Sequence, residues 1–397
     1  MACGAAHPAD ALQYPRTVII RGYNAGRQNF WSPMKIASLI GVVGITLVLS
    51  GCGGGGSGGG AAATTNTSTS TATPNTVAST PATSSAKTIL GYFTGTSDSM
   101  TSATSASTPV SAISMDVIQV ATDGSLNGTL PSNLLAGDQA AGKASYACIS
   151  NFGATDFDPD IAHGALVTNR ATTIQNIVAL AKTANLTGIN IDFEGVYPAD
   201  RDAYTSFVAD LAVQLHAIHS SLVLSVPAKS SDDPSDTWGW PFNYAALGQS
   251  ADLIQVMTYD EHVPGHGAGA VAGIDWMQAS LQYAATQIPS SKILLGLPAY
   301  GYDWNVTANT GTSVALKDMP ALLASTGASP QWDATTQSAY FNYTAPDASS
   351  HQVWYETAQG IYSKAQLAKT LGLAGVSMWA LGDEDATFWN AVTTAIN

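Results

Sequence analysis

From residue 87 onward the chain repeats one alternation, a short apolar run of strand character followed by a stretch with helical spacing. That pattern specifies βα units, whose strands lie parallel and whose crossovers are right-handed. The strand-like runs are 88–93, 116–121, 144–150, 186–194, 222–227, 252–260, 292–298 and 375–381. Between them, Ile174, Ile177, Val178 and Ala181 share one helical face. Phe207, Leu211, Leu215 and Ile218 do the same behind an N-cap candidate, Asp200. Helices are therefore expected over 171–184, 203–218, 276–287 and near 363–371. Eight such strands in about 310 residues fit an α/β fold of the (β/α)8 TIM-barrel type. An open doubly wound sheet is the alternative, but no Gly-rich nucleotide turn follows the first strand. One interval breaks the rhythm. Between the seventh and eighth runs the chain is far longer than one helix needs, with short strands expected at 331–333, 339–343 and 352–355. A small inserted α+β subdomain is expected over about 303–357, placed to wall one side of a cleft, with most of its aromatics used in packing.

The fourth run, Leu186 through Glu194, carries the chemistry. Side chains alternate across a strand, so Ile189, Ile191 and Phe193 share one face and Asn190, Asp192 and Glu194 the other. The apolar row suits packing against helices. The opposite row brings an amide and two carboxyls into a buried or cleft-like place, where carboxylate pKa values shift and general acid chemistry becomes available. In such a barrel, functional groups gather at the C-terminal ends of the strands. Glu194 closes the fourth run, Asp260 the sixth, Trp379 stands near the end of the eighth, and Tyr92, late in the first, is expected at the same mouth. A structural salt-bridge network is the competing reading, disfavoured because the whole chain has only 14 Lys and Arg.

The residues before 87 have another character. Lys35 precedes the apolar run 36–49, too short for the ~20 residues that span a bilayer as a helix. Leu49-Ser50-Gly51-Cys52 resembles a lipobox, which implies cleavage before Cys52 and acylation of its thiol; an uncleaved membrane anchor is the alternative. Residues 1–33 resemble no signal region, so Met34 is a candidate start. Residues 53–86 are rich in Gly, Ala, Thr, Ser and Pro with almost no large apolar side chain, the composition of a flexible tether. The lipobox resemblance implies a protein of the cell envelope, lipid-anchored at an outer-membrane, periplasmic or extracellular face, and Gly53 after the cysteine resembles outer-membrane sorting. The net charge is −14. The segment before Cys52 holds four cations against Asp10 alone, so its loss leaves a still more acidic chain. No basic stripe is left for nucleic acid. Cys3 is expected to be lost with the leader and Cys52 to carry lipid, which leaves Cys148 without a disulfide partner; flanked by Ala147 and Ile149, it reads as a buried structural thiol.

The fourth run resembles the signature of glycoside hydrolase family 18, Asp-Gly-x-Asp-x-Asp-x-Glu, here Thr187-Gly188-Ile189-Asn190-Ile191-Asp192-Phe193-Glu194. Asp192 and Glu194 match, while Thr187 and Asn190 replace the first two aspartates. Met257-Thr258-Tyr259-Asp260 resembles the family's Met-x-Tyr-Asp element, and Trp379 its eighth-strand tryptophan. With Tyr259-Asp260-Glu261-His262 and residues 296–304, the chain is most similar to the spore-cortex-lytic, peptidoglycan-directed branch. The resemblance covers essentially all of 88–397. It implies retaining, substrate-assisted hydrolysis at N-acetylglucosamine, in peptidoglycan or, as the alternative, in chitin or another such polymer. Relatives that only bind sugars usually lack the glutamate, which is present here. By resemblance Glu194 is the general acid and base, Asp192 orients the sugar's acetamido group, and Tyr259 stabilises its oxygen. Asn190, Asp260, Trp379 and Tyr92 bind substrate, with Asn190 hydrogen-bonded to Asp192. The mechanism implied needs no metal and no cofactor. The pairs His216/His219 and His262/His266 lack an evident third ligand. A monomer is expected.

Overall fold

Thr88–Phe93 is hydrogen-bonded to Ala112–Val120 on one side and to Gly375–Trp379 on the other, and those two pairings close a sheet into a barrel. The computed structural model describes residues 86–397. The leader, Cys52 and the tether up to Ser85 lie outside the described residues. The eight parallel barrel strands, in chain order, are Thr88–Phe93, Ala112–Val120, Ala144–Ser150, Gly188–Asp192, Ser221–Pro227, Leu253–Met257, Ile293–Pro298 and Gly375–Trp379. Each pairs with its sequence neighbour in the barrel, so the open-sheet alternative is excluded. The second strand begins at Ala112, ahead of the expected 116, and Leu126–Gly128 folds back antiparallel on it.

The apolar row of the fourth strand does what its alternation predicts. Ile189, Ile191 and Phe193 are fully buried beneath the surrounding helices, and the Phe193 ring stacks on Phe207 at 6.0 Å. Burying side chains of this size is worth about 1.5–3 kcal/mol each, which anchors the strand's register. Phe207 belongs to the helix Arg201–Ala217, entered through one 3-10 turn, Pro198–Asp200. Asp200 does not cap it, as the sequence led us to expect; its Oδ2 is held by His163 Nδ1 at 2.8 Å. The other expected helices are present as Arg170–Thr183, Ile274–Gln287 and Ala358–Thr370. The last begins earlier than its apolar pattern, at a Thr357 cap whose Oγ1 accepts from Gly360 N at 3.2 Å.

The insertion is a five-stranded antiparallel sheet, in the order Thr310–Ala315, Tyr300–Asn305, Ser350–Tyr355, Ser338–Thr344 and Gln331–Asp333, with the helix Met319–Thr326. It starts at Tyr300 rather than near 303, because Ala299 alone separates it from the seventh barrel strand. A buried ion pair ties it to the barrel layer. Lys364, in the helix Ala358–Thr370, bonds Glu356 and donates to Ser338 Oγ at 2.9 Å, both just outside or within the inserted sheet. No helix among the described residues is long and apolar enough to cross a membrane.

Candidate active site

The ladder of the fourth strand ends at Asp192, and Phe193 and Glu194 run beyond it. There the Asn151 side chain takes over the backbone hydrogen bonding. Its Oδ1 accepts from Glu194 N at 2.8 Å, and its Nδ2 donates to Glu194 O at 2.8 Å and Asp158 O at 3.0 Å. Asn151 is fully buried, so this clamp is shielded from competing water. Gly195 follows with φ of 61°, a left-handed conformation suited to glycine, and Trp238 lies over it, 3.5 Å from where a Cβ would stand. The chain thus turns sharply after Glu194, leaving that residue half-buried at the mouth of the barrel.

Both carboxyls hold their protons more tightly than usual. Burial raises Glu194 well above the ordinary glutamate range, helped by the charges of Asp192, Asp260, Asp156 and Asp116. Asp192 is pushed up to about 7, by burial first and by Asp116 second, with the Ser225 hydroxyl pulling the other way. Asp192 Oδ1 is buried and has no hydrogen-bond partner among the described residues. Neither carboxyl takes part in an ion pair among those residues, so the salt-bridge reading fails. A protonated carboxyl at the mouth, beside a second with an unused acceptor, can deliver a proton and hold an N–H donor.

Asn190 and Tyr92 are placed differently from the expectation. Both are buried in the barrel interior, a step below the mouth, at 0 % and 1 % exposure. The Tyr92 hydroxyl donates to Asn190 Oδ1 at 2.8 Å and lies 2.9 Å from Ser225 Oγ and 3.1 Å from Gln255 Oε1. Ser114 Oγ donates to the same Asn190 oxygen at 2.9 Å, and Asn190 Nδ2 donates to Ser225 Oγ at 3.1 Å. The amide's hydrogen bonds thus go to this interior network, with none to Asp192. Tyr92 still borders the site from beneath: its ring packs on Trp379 at 5.4 Å.

The remaining expected residues do meet at the mouth. Tyr259, Asp260 and Trp379 are all partly exposed there. Gln255 Nε2 donates to Tyr259 OH at 3.0 Å, linking the network below to the mouth above. Asp260 has φ of 62°, a strained conformation for a residue with a Cβ, and its Oδ1 accepts from Tyr300 OH at 2.7 Å and Tyr302 OH at 2.8 Å. Burial pushes Asp260 up to about 6 against those two bonds. The insertion's first strand therefore packs against the mouth through Asp260. Tyr300, Tyr302 and Trp304 cluster with Val263 and Val271, with Tyr259, Trp354 and Trp379 packed against them. Among the described residues no group of three His, Cys, Asp or Glu is placed to hold a metal. His216 bonds Asp252 at 2.9 Å and His262 the Ala270 carbonyl at 3.0 Å.

Three residues were missed in the sequence: Asn151, Asp116 and Trp238. Asn151 stands just past a barrel strand, the position that singled out Glu194 and Asp260, so that signal was available; Asp116 opens the expected second run and stands mid-strand in the structure, so the same signal does not reach it. Trp238 sits in a loop that nothing in the sequence aims at the mouth. Buried Lys229 holds that loop, donating to Asp232 Oδ1 at 2.8 Å, Gly239 O at 3.1 Å and Phe242 O at 2.6 Å.

Residues 131–385 match the family described as Glycosyl hydrolases family 18. The chain belongs to that family. This family 18 protein is 37 % identical over 308 residues to the Uncharacterized glycosylase YvbX of Bacillus subtilis, covering 76 % of the chain and 90 % of the relative. It is 31 % identical over 228 residues to the Cortical fragment-lytic enzyme of the same organism, covering 56 % of the chain but only 53 % of that relative. Among solved structures it superposes on a chitinase from Chromobacterium violaceum with a TM-score of 0.75 at 36 % identity, over 78 % of this chain and 99 % of that one. This family 18 member is a glycoside hydrolase, and the non-catalytic alternative is set aside.

Proposed function

We propose that the chain is a retaining, substrate-assisted β-N-acetylglucosaminidase that acts on peptidoglycan. The observation that carries this reading is the pairing of Glu194, partly exposed and proton-retaining, with Asp192, whose buried Oδ1 is unpaired. Glu194 protonates the glycosidic oxygen. Asp192 accepts the acetamido N–H, so that the acetamido oxygen attacks its own anomeric carbon and the aglycone leaves. Glu194, now ionised, takes a proton from water as that water opens the oxazolinium ring. The Tyr259 hydroxyl donates to the acetamido oxygen as charge develops, Trp379 floors the sugar, and Asp260 holds its polar groups. Asn190 and Tyr92 support this array from below rather than touching the sugar.

Peptidoglycan is favoured by the resemblance to the peptidoglycan-directed branch and by the kinship with a cortical fragment-lytic enzyme. The 36 % identity to a chitinase supports chitin oligomers as the second reading. Incubating the purified protein with each polymer and identifying the new reducing ends decides between them. Release of N-acetylglucosamine ends from peptidoglycan, lost in Glu194→Gln, is the expected result; release from chitin alone moves the substrate to the second reading. Glu194→Gln with wild-type rates contradicts the assignment. We also propose that Cys52 carries the lipid of an envelope tether, so Cys52→Ala protein is expected to leave the membrane fraction.

A further inference from the structure

We propose that Asp116, on the second barrel strand, is a positioning residue that shares a proton with Asp192 and supplies the carboxyl that Asn190 does not. The proposal rests on the roles given above to Asp192 and Glu194. It begins with a relation between two strands. Ser114 Oγ donates to Asn190 Oδ1 at 2.9 Å, so Ser114 and Asn190 face each other inside the barrel. Asp116 is two residues beyond Ser114 and Asp192 two beyond Asn190, on parallel strands running the same way toward the mouth. Alternation keeps each pair on one face, so Asp116 and Asp192 stand in the same relation one pleat higher. In backbone register Asp116 lies beside Cys148 and Cys148 beside Asn190, just as Ser114 lies beside Tyr146 and Tyr146 beside Gly188; the Ser114–Asn190 bond therefore crosses a two-residue offset, and the same offset brings Asp116 level with Asp192. Cys148, the third-strand residue in register with Asp116, is fully buried.

Two further observations point to a working relation. The register of the second strand shifts immediately after Asp116, between it and Ile118, and such bulges re-aim a side chain. The charge of Asp116 is the largest influence on Asp192 after burial, and it also reaches Cys148 and Glu194. Two carboxyls in one low-dielectric site do not both ionise readily, and they hold one proton between them. In the free enzyme that proton lies on the pair. When an acetamido N–H arrives, Asp192 must be an acceptor, and the proton stays with Asp116. No bond other than this O–H is involved. The groups that face Asp192 are Asp116 from the second strand, Cys148 from the third, Glu194 from its own chain, Tyr259 from the sixth strand, Tyr92 from the first and Tyr204 from the helix Arg201–Ala217. Burial pushes the thiol and the phenols upward, so below about pH 8 the carboxyls alone set its titration.

The test is the pH dependence of kcat and kcat/KM for Asp116→Asn and Asp116→Ser, on whichever polymer the wild type cleaves, with Glu194→Gln alongside. The acidic limb is expected to move down by about one pH unit in both variants, with kcat reduced about tenfold and KM changed less than twofold. Adding Asn190→Asp to Asp116→Asn is expected to move the limb back up and recover part of kcat, since a carboxyl again stands near Asp192. Wild-type profiles in both Asp116 variants overturn the proposal. So does a loss of rate with an unmoved limb that Asn190→Asp fails to rescue, which marks Asp116 as structural. Unfolding of both variants also counts against it, because removing a like charge beside Asp192 relieves repulsion. Wild-type rates in Glu194→Gln identify a different failure, that of the site assignment itself.

Discussion

Asn151 shows how much of this site depends on one amide. It replaces the ladder bonds that the fourth strand lacks past Asp192, holding both the N–H and the C=O of Glu194. Asn151→Ala leaves two buried backbone groups unpaired, an expected loss of about 2 kcal/mol in urea unfolding, and lets the glutamate drift from its line of proton transfer. A tenfold or greater fall in kcat with KM little changed is expected, and unchanged kcat would show that Glu194 is held by other means. At this scale the sequence was legible in direction but not in depth. Strand alternation placed Asn190, Asp192 and Glu194 on one face correctly. It carried no information on how far along the barrel axis each one stands. Asn190 and Tyr92 were accordingly expected to meet substrate, yet they lie in the polar layer beneath, committed to Ser114, Ser225 and Gln255.

At the scale of elements, the insertion is joined to the barrel by the buried Lys364–Glu356 pair and reaches the site through Tyr300 and Tyr302 on Asp260. Lys364→Ala leaves Glu356 buried without its cation, and the expected cost is about 3–5 kcal/mol in denaturant unfolding. Replacing both partners by apolar residues, as in Glu356→Leu with Lys364→Met, is expected to recover most of that loss. A single variant as stable as wild type would mean the pair is dispensable. The barrel strands were readable because fully buried parallel strands appear as unbroken apolar runs. The insertion was readable only where aromatics cluster, at 331–333, 339–343 and 352–355. Its strand Thr310–Ala315 is mostly polar or small and largely exposed, so no hydrophobic period marks it. Tyr300–Asn305 was hidden by its one-residue separation from the seventh barrel strand. The helix Ser97–Thr104 likewise shows little beyond a Thr96 cap.

The whole molecule holds several proton-retaining carboxyls in an acidic chain. Asp192 is raised to about 7, Asp260 and Asp138 to about 6, and Glu194 upward as well, while an unfolded chain releases those protons near pH 4. Between those limits the folded state binds more protons than the unfolded one, so stability falls as pH rises. The melting temperature is expected to be higher at pH 5 than at pH 8, and a flat or rising trend would show that these carboxyls are solvated as in the unfolded chain. The central claim is that the substrate's own acetamido group is the nucleophile, with Glu194 as its acid and Asp192 as its guide. Proton NMR of the first product formed from an N-acetylglucosamine oligomer tests it most directly. Double displacement through the acetamido oxygen predicts that the new reducing end appears first as the β-anomer and then mutarotates; first appearance of the α-anomer would contradict it.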